Sequence, residues 1–341
     1  MKNINLISLL VLLICFTGNT QSLPNPIVSP IQAGPYVPGL MGVRDFANPG
    51  VDGMLFLDYN VFLNTDNFYD RNGNEVNSLD LFPELGSIPF ETDISGYINS
   101  LMIAYASPKI EFLGNAQYLG ILAPNFTTVN TRVAMGELLN GTTVTGGSSG
   151  FGDLAIFPLL LSWGSETFDF TGGYMFVAPT GRFEIGGSDN VGLGYWSHII
   201  QAAAYYYPLP QKATAIMVLP TYEFHGKIKG SNVTPGSRLC LDYGVSQYFS
   251  ERLEVTLQGG HAWQIGEDKG GDVYWDTSVK DQLSTLGGGV GYWLMPQQLY
   301  ANAKYYFSYG ERQHFDSDAF QIQLVLIPGW LQSKTKEKTE K

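Results

Sequence analysis

The feature that most constrains the fold is a two-residue alternation of apolar and polar side chains, which recurs from residue 52 to residue 327. In residues 253–258, for example, leucine or valine alternates with glutamate, threonine or glutamine. Successive side chains of a β-strand point to opposite faces, so this pattern predicts strands with one apolar face. The predicted strands are residues 52–64, 93–105, 108–122, 151–163, 167–178, 196–207, 212–225, 238–248, 251–265, 282–294, 299–310 and 317–327.

The connections between these strands alternate in length along the chain. Long connections such as 65–92 and 123–150 alternate with short ones such as 106–107 and 164–166. Outer-membrane barrels have this arrangement, because an even number of antiparallel strands closes into a ring with tight turns at one rim and longer loops at the other. The sequence therefore predicts an all-β fold, namely a closed antiparallel transmembrane β-barrel of about 12 strands.

The two ends of the chain lack the alternation. Residues 1–22 combine Lys2, an apolar run and small residues at their end, which is typical of a secretory signal peptide. Residues 23–51 are rich in proline and predict an extended N-terminal arm that either precedes the barrel or plugs it. Residues 331–341 form a charged C-terminal tail, so the predicted transmembrane β-barrel spans residues 52–330.

The composition restricts the classes of partner. Only 15% of the residues are charged, and the formal net charge is -12. Binding of nucleic acid needs clustered lysine and arginine to contact the phosphates, and this acidic chain does not supply them. A scarcity of charge instead suits a surface in contact with lipid. We therefore predict localisation in the bacterial outer membrane, with outer-membrane lipid as a partner and no nucleic acid.

The predicted inner face of the barrel carries both polar and apolar side chains. The apolar run at 154–161 and the aromatic residues of the first strand give this face an apolar wall, which suits a hydrophobic or aromatic solute. An equally open alternative is that this wall packs against the arm. The candidate lumen-facing and solute-contacting residues are Phe56, Asp58, Asn60, Phe62, Phe157, Leu159, Glu223, Asp242 and Lys304.

Several segments resemble one known family in their order along the chain. These segments are GPYVPGLMGV at 34–43 and residues 48–76, 152–163, 172–183, 190–196, 221–226 and 241–247. Together they resemble the outer-membrane proteins linked to the meta-pathway of phenol degradation, over most of the chain beyond residue 22. The resemblance implies an outer-membrane β-barrel that acts as a channel for passive uptake of hydrophobic or aromatic small molecules. It implies no catalytic residues.

Two other functions stay open at this point. A surface barrel with a structural or adhesive role is compatible with the long loops, which can carry recognition as readily as they gate a pore. An outer-membrane lipid hydrolase needs a serine and a histidine on one face. Ser197 adjoins His198 in a predicted strand, so these two side chains point to opposite faces.

A metal site is not predicted. Residues 70–75, DRNGNE, are similar to the start of a calcium-binding loop. Counted from Asp70, however, glycine stands at the fourth position instead of the sixth, and leucine stands at the twelfth, where a bidentate glutamate belongs. The sequence therefore predicts no enzyme, no metal ligands and no cofactor.

Overall fold

A computed structural model of the protein describes residues 29, 31, 34–79, 88–135, 143–185, 187 and 189–331. The predicted signal peptide, residues 1–22, lies outside this part of the chain, as do residues 332–341 of the predicted tail. Among the described residues, no helix is long and apolar enough to cross a membrane.

The fold is a closed antiparallel β-barrel of twelve strands, as the sequence predicts. The strands are β1 (Gly53–Thr65), β2 (Ile88–Ala106), β3 (Gln117–Ala123 and Asn125–Met135), β4 (Thr143–Phe151 and Leu154–Gly164), β5 (Phe168–Ala178), β6 (Ser197–Tyr206), β7 (Thr214–His225), β8 (Arg238–Tyr248), β9 (Leu253–Gln264), β10 (Gln282–Met295), β11 (Leu299–Arg312) and β12 (Asp318–Leu326). Each strand pairs with its neighbours in the chain. The first and last strands also pair, from Phe56 opposite Leu326 to Asn64 opposite Asp318. This pairing closes the ring and removes the free edges that lipid could not satisfy.

Longer loops lie at one rim and most tight turns at the other. The described loops of the first rim are 66–79, 179–185, 189–196, 226–237, 265–281 and 313–317, and the connections of the second are 107–116, 165–167, 207–213, 249–252 and 296–298. In outer-membrane barrels the tight turns are periplasmic and the longer loops are extracellular. We therefore call the rim with the longer loops the extracellular rim, and the other the periplasmic rim.

Two connections differ from the sequence-based prediction. The predicted loop 123–150 is mostly strand, because Asn125–Met135 of β3 pairs with β2 and with Thr143–Phe151 of β4. Threonine, asparagine and glycine dominate this hairpin, so it lacks the apolar face that identifies the other strands. The predicted third strand begins too early, because residues 107–116 form a turn with Gly114 and Asn115 at positive φ.

The outward-facing side chains of the strands are mainly large and apolar. In β12, Phe320, Ile322 and Leu324 are 39–43% exposed, whereas the intervening Gln321 and Gln323 are buried. Apolar side chains therefore point toward lipid and polar ones toward the lumen, as in other transmembrane barrels.

The predicted face of β1 is wrong by one residue. Tyr59 is 2% exposed and points into the barrel, whereas Phe62 is 46% exposed on the outer face. Alternate residues of a strand share a face, so Phe56, Asp58 and Asn60 also lie on the outer face. These four residues do not line the lumen.

A hydrogen-bonded cluster explains why polar residues of β1 face outward. Asn60 Nδ2 donates to Asp58 Oδ2 (2.9 Å), and Asn99 Nδ2 of β2 donates to Asp58 Oδ1 (2.7 Å). Tyr97 OH of β2 donates to Asn60 Oδ1 (2.7 Å). Polar groups that satisfy one another cost less on an apolar surface than unpaired ones. Because half of the cluster lies on another strand, the alternation within β1 does not reveal it.

Leu159 was also predicted on the wrong face. The strand alternation in β4 breaks at Pro158, where the pairing register with both β3 and β5 shifts. Proline cannot donate a ladder hydrogen bond and is accommodated at such irregularities. As a result Phe157 and Leu160 both face inward, with 4% and 0% exposure, and Leu159 is 50% exposed on the outer face.

Candidate channel lumen

A stretch of chain that precedes β1 runs through the barrel. Tyr36 OH donates to Asp242 Oδ2 of β8 (2.6 Å), and the Asn48 amide donates to Asp169 Oδ2 of β5 (3.1 Å). Both aspartates are buried on the inner face of the barrel. Residues 34–51 are named the inner segment from here on. The structure also describes Ser29 and residue 31 of the predicted arm, which precede the inner segment.

The inner segment crosses the lumen from the extracellular to the periplasmic rim. Near its start, Ser29 Oγ donates to Asp268 Oδ2 in the extracellular loop 265–281 (2.6 Å). At its other end, Gln117 Nε2 of β3 donates to the carbonyl oxygen of Val51 (3.0 Å), two residues before β1 begins. The chain therefore passes down the lumen first and then returns upward as β1.

A buried lysine holds the middle of the inner segment. Lys304 Nζ of β11 donates to the carbonyl oxygens of Gly39 and Leu40, each at 2.7 Å. Gln258 Nε2 of β9 donates to the carbonyl oxygens of Gly39 (2.7 Å) and Met41 (2.8 Å). These contacts satisfy carbonyl groups that would otherwise be buried without donors.

Arg44 of the inner segment is held near the periplasmic rim. Its Nε donates to Glu254 Oε1 (2.9 Å) and to Ser246 Oγ (2.6 Å), and its Nη2 donates to the carbonyl oxygen of Lys212 (2.9 Å). The guanidinium carbon also lies 4.8 Å from the ring centroid of Tyr248, within the range of a cation–π contact. The charge of Arg44 is therefore already paired.

The opposite side of the inner segment makes apolar contacts. Phe46 packs against Phe157 of β4 with 6.5 Å between ring centroids. Val43 and Phe46 belong to one buried cluster with Leu160, and this cluster also includes side chains of β5, β6 and β7. The inner segment thus has an apolar face toward Phe157 and Leu160, and a polar attachment to β8, β9 and β11.

Two cavities border the inner segment. The larger, of about 240 Å³, lies at the periplasmic rim, and the smaller, of about 80 Å³, lies beside Phe46 and Phe157. The two cavities share five lining residues, Asp45, Ala47, Pro49, Leu55 and Leu57. We call the four apolar residues of this shared lining, Ala47, Pro49, Leu55 and Leu57, the seam.

The structure brings together only some of the predicted lumen residues. Phe157, Glu223, Asp242 and Lys304 lie on the inner face, each with 4% exposure or less. All four contact the inner segment. Phe56, Asp58, Asn60, Phe62 and Leu159 lie on the outer face. Leu55 and Leu57, which line both cavities, were missed because the polar Asp58 and Asn60 suggested the opposite register.

Glu223 takes part in an arrangement that sequence reasoning missed. Ser197 Oγ lies 2.9 Å from His225 Nδ1, and His225 Nε2 lies 3.1 Å from Glu223 Oε1. Ser197 and His225 are directly opposite in the pairing of β6 with β7, a relation that spacing along the chain does not show. All three side chains are buried, at 0% to 1% exposure.

This serine, histidine and glutamate do not form an accessible hydrolytic site. A Cβ atom on Gly34 would meet Glu223 Oε1, so the backbone of the inner segment lies directly on the carboxylate. The histidine also meets the serine through Nδ1, whereas Ser–His–Asp hydrolases use Nε2. No described group of three or more His, Cys, Asp or Glu residues is arranged to hold a metal ion.

Comparison with known proteins agrees with the resemblance seen in the sequence. The family model described as MetA-pathway of phenol degradation matches residues 65–324. The chain belongs to this family. No curated protein matches it at a significant level.

A solved structure shares the fold of this family member, and others are similar to it at lower TM-scores. The COG4313 outer membrane channel from Pseudomonas putida F1 is 15% identical, with a TM-score of 0.61, over 83% of this chain and 97% of that one. The CymD monoaromatic hydrocarbon channel is 9% identical with a TM-score of 0.41, over 85% of this chain and 94% of that one. A FadL homologue from Pseudomonas aeruginosa is 9% identical with a TM-score of 0.40, over 82% and 91%. The family and the fold identify this chain as a protein of the bacterial outer membrane.

Proposed function

We propose that this protein is an outer-membrane channel for passive uptake of hydrophobic or aromatic small molecules, with the inner segment acting as its plug. The single observation that carries the proposal is the seam, an apolar wall that two neighbouring cavities beside the inner segment have in common. Membership of the phenol-degradation family and the likeness to the COG4313 outer membrane channel support the same conclusion.

The chemistry of the seam suits an apolar solute. The smaller cavity is lined by apolar side chains except for Asp45 and Tyr59, whose carboxylate and hydroxyl are hydrogen-bonded to each other (2.7 Å). An apolar solute can therefore enter this cavity without breaking a hydrogen bond of its lining, and the transfer of its apolar surface out of water is favourable. The cavity offers a sugar or an ion no free hydrogen-bonding groups to replace the water molecules that hydrate it.

Uptake through the whole barrel requires the inner segment to move. Tyr36 and Gly39 are hydrogen-bonded to Asp242 in the extracellular half of β8, so the inner segment blocks the lumen there. Near Phe157 the inner segment is held by apolar packing and by a few hydrogen bonds, such as that from Phe46 N–H to Tyr205 OH (3.1 Å). This side has fewer hydrogen bonds than the side that faces β8, β9 and β11, so it yields more readily.

Influx into proteoliposomes tests the proposal. Vesicles that contain the protein should take up phenol or toluene faster than empty vesicles do, and Leu57→Asp, which places a carboxylate in the seam, should reduce the difference. Leu324→Asp on the outer face of β12 is the matched control outside the seam. Heat-modifiable migration on a detergent gel verifies that each variant is folded. Influx no faster than in empty vesicles contradicts the channel function.

A further inference from the structure

The side chain of Arg44 lies in a site whose acceptors all belong to the barrel. Its Nε donates to Glu254 Oε1 (2.9 Å) and to Ser246 Oγ (2.6 Å). Its Nη2 donates to the carbonyl oxygens of Lys212 (2.9 Å) and Ala213 (3.3 Å). These acceptors lie on β9, β8 and the periplasmic turn 207–213. The barrel wall therefore presents a set of acceptors to a guanidinium group, and a residue of the inner segment occupies it.

Two tyrosine rings extend this set of acceptors. The guanidinium carbon of Arg44 lies 4.8 Å from the ring centroid of Tyr248 and 5.9 Å from that of Tyr207. An aromatic face at such a distance attracts a cation, and a planar guanidinium group also stacks on it. Planar donors that reach a carboxylate, a hydroxyl and two carbonyl groups at once are a property of guanidinium and not of a quaternary ammonium ion. The Arg44 site is defined by Ser246, Glu254, Tyr207, Tyr248 and the carbonyl groups of Lys212 and Ala213.

The carboxylate of the Arg44 site is held in place by the barrel itself. Ser246 Oγ donates to Glu254 Oε1, and Tyr300 OH of β11 donates to Glu254 Oε2. Glu254 is 2% exposed. Because Ser246, Glu254 and Tyr300 all belong to strands of the barrel, their mutual hydrogen bonds do not depend on Arg44. The site is therefore already formed when the inner segment leaves it.

Without Arg44 the site contains an uncompensated negative charge. The neighbouring cation Lys212 is paired with Asp169 (2.6 Å), so its charge is already balanced. A buried carboxylate that loses its cation is strongly destabilised, and a replacement cation relieves this cost. The larger cavity, of about 240 Å³, borders Arg44, Tyr248 and Glu254 at the periplasmic rim and gives a small organic cation room to approach.

We infer that the barrel wall carries a binding site for a small organic cation with a guanidinium group, and that Arg44 occupies this site while the inner segment is in place. A free guanidinium compound competes with Arg44 for the same acceptors. It therefore binds the states in which Arg44 has left the site, and its binding raises their population. The inference goes beyond the proposed function, because it does not depend on the passage of aromatic solutes.

Isothermal titration calorimetry of the folded full chain in detergent, with methylguanidinium as the probe, tests the inference. Arg44→Ala vacates the site and should bind methylguanidinium at least about tenfold more tightly than the unaltered protein, in which the site is free only when the inner segment is displaced. Arg182→Ala, in an extracellular loop, is the control and should bind no more tightly than the unaltered protein. Tetramethylammonium carries the same charge without N–H donors, so it should bind Arg44→Ala at least about tenfold more weakly.

A second substitution locates the site. Glu254→Gln, added to Arg44→Ala, removes the carboxylate and should abolish the binding of methylguanidinium. Glu251→Gln, added to Arg44→Ala in the same way, is the matched control, since Glu251 is exposed in the periplasmic turn 249–252. Heat-modifiable migration on a detergent gel verifies that each variant is folded. The inference is overturned if folded Arg44→Ala binds methylguanidinium no more tightly than the unaltered protein, if tetramethylammonium binds equally well, or if binding survives Glu254→Gln.

Single-channel recording of the unaltered protein gives a test that needs no variant. Methylguanidinium on both sides of the bilayer, at constant ionic strength, should raise the open fraction by about tenfold at ten times its dissociation constant for the vacant site. The same concentration of tetramethylammonium should leave the open fraction nearly unchanged. An open fraction that does not respond to methylguanidinium overturns the competition with Arg44. Phenol influx is not part of these measurements, so their failure is distinct from failure of the proposed function.

Discussion

Lys304→Met should weaken the attachment of the inner segment and open the channel. In the folded protein Lys304 Nζ donates to the carbonyl oxygens of Gly39 and Leu40 at 2.7 Å, and its charge is attracted to Asp45 and Asp242. A hydrogen bond to a charged group contributes about 1.5–3 kcal/mol, so the two short bonds contribute about 3–6 kcal/mol. Relief of the cost of burying the ammonium group offsets part of this loss.

The net effect follows from which carbonyl groups lose their donor. The Gly39 carbonyl keeps its bond from Gln258 Nε2, whereas the Leu40 carbonyl loses its donor, at a cost of about 1–3 kcal/mol if it stays buried. We therefore expect the inner segment to be bound about 3 kcal/mol more weakly, which raises the population of displaced states by about a hundredfold.

Single-channel recording in planar bilayers measures this population. The variant should open far more often than the unaltered protein, because displacement of the inner segment leaves a water-filled lumen. Tyr305→Phe is the matched control, since Tyr305 is the next residue of β11 and is 50% exposed on the outer face. If folded Lys304→Met opens no more often than the control, Lys304 does not hold the inner segment in place and the reasoning is refuted.

Three further predictions concern the faces of the strands and the buried serine. A lipid-soluble maleimide should label Phe62→Cys but not Val61→Cys, because Val61 is 2% exposed and the native Cys240 is buried; labelling in the reverse order would restore the register predicted from the sequence. Leu257→Arg should lower the free energy of unfolding from lipid vesicles by about 2–4 kcal/mol, because Leu257 is 61% exposed on the lipid face, and Glu251→Arg in a periplasmic turn should change it little; equal effects would contradict the placement of β9. A fluorophosphonate probe should not label the folded protein at Ser197, which is 0% exposed; labelling that disappears in Ser197→Ala would support a hydrolase instead.

The sequence predicts strands well where one face is uniformly apolar. The bounds of β8 and the course of β12 follow from simple alternation, because their outer residues are apolar and their inner residues polar or small. The two segments Asn125–Met135 and Thr143–Phe151 are polar on both faces, so only their pairing with each other and with β2 identifies them as strands.

The candidate site was harder to predict, because its geometry depends on contacts between distant parts of the chain. The face of β1 is set by a hydrogen-bonded cluster with β2, and the face of Leu159 by the irregularity at Pro158. The pairing of Ser197 with His225 depends on the register of β6 with β7. In each case the orientation of the residue depends on a residue of another strand or on a local break in the strand pairing. The period-two alternation of a single strand carries no information about either.

The direction in which the inner segment crosses the lumen determines how it can leave. It continues through Asp52 into β1 at the periplasmic rim. A segment released from its contacts in the lumen therefore stays tethered at that rim. Asp45 also ties Tyr59 of the first strand to Gln323 of the last. Insertion of the segment and closure of the ring during assembly thus stabilise each other.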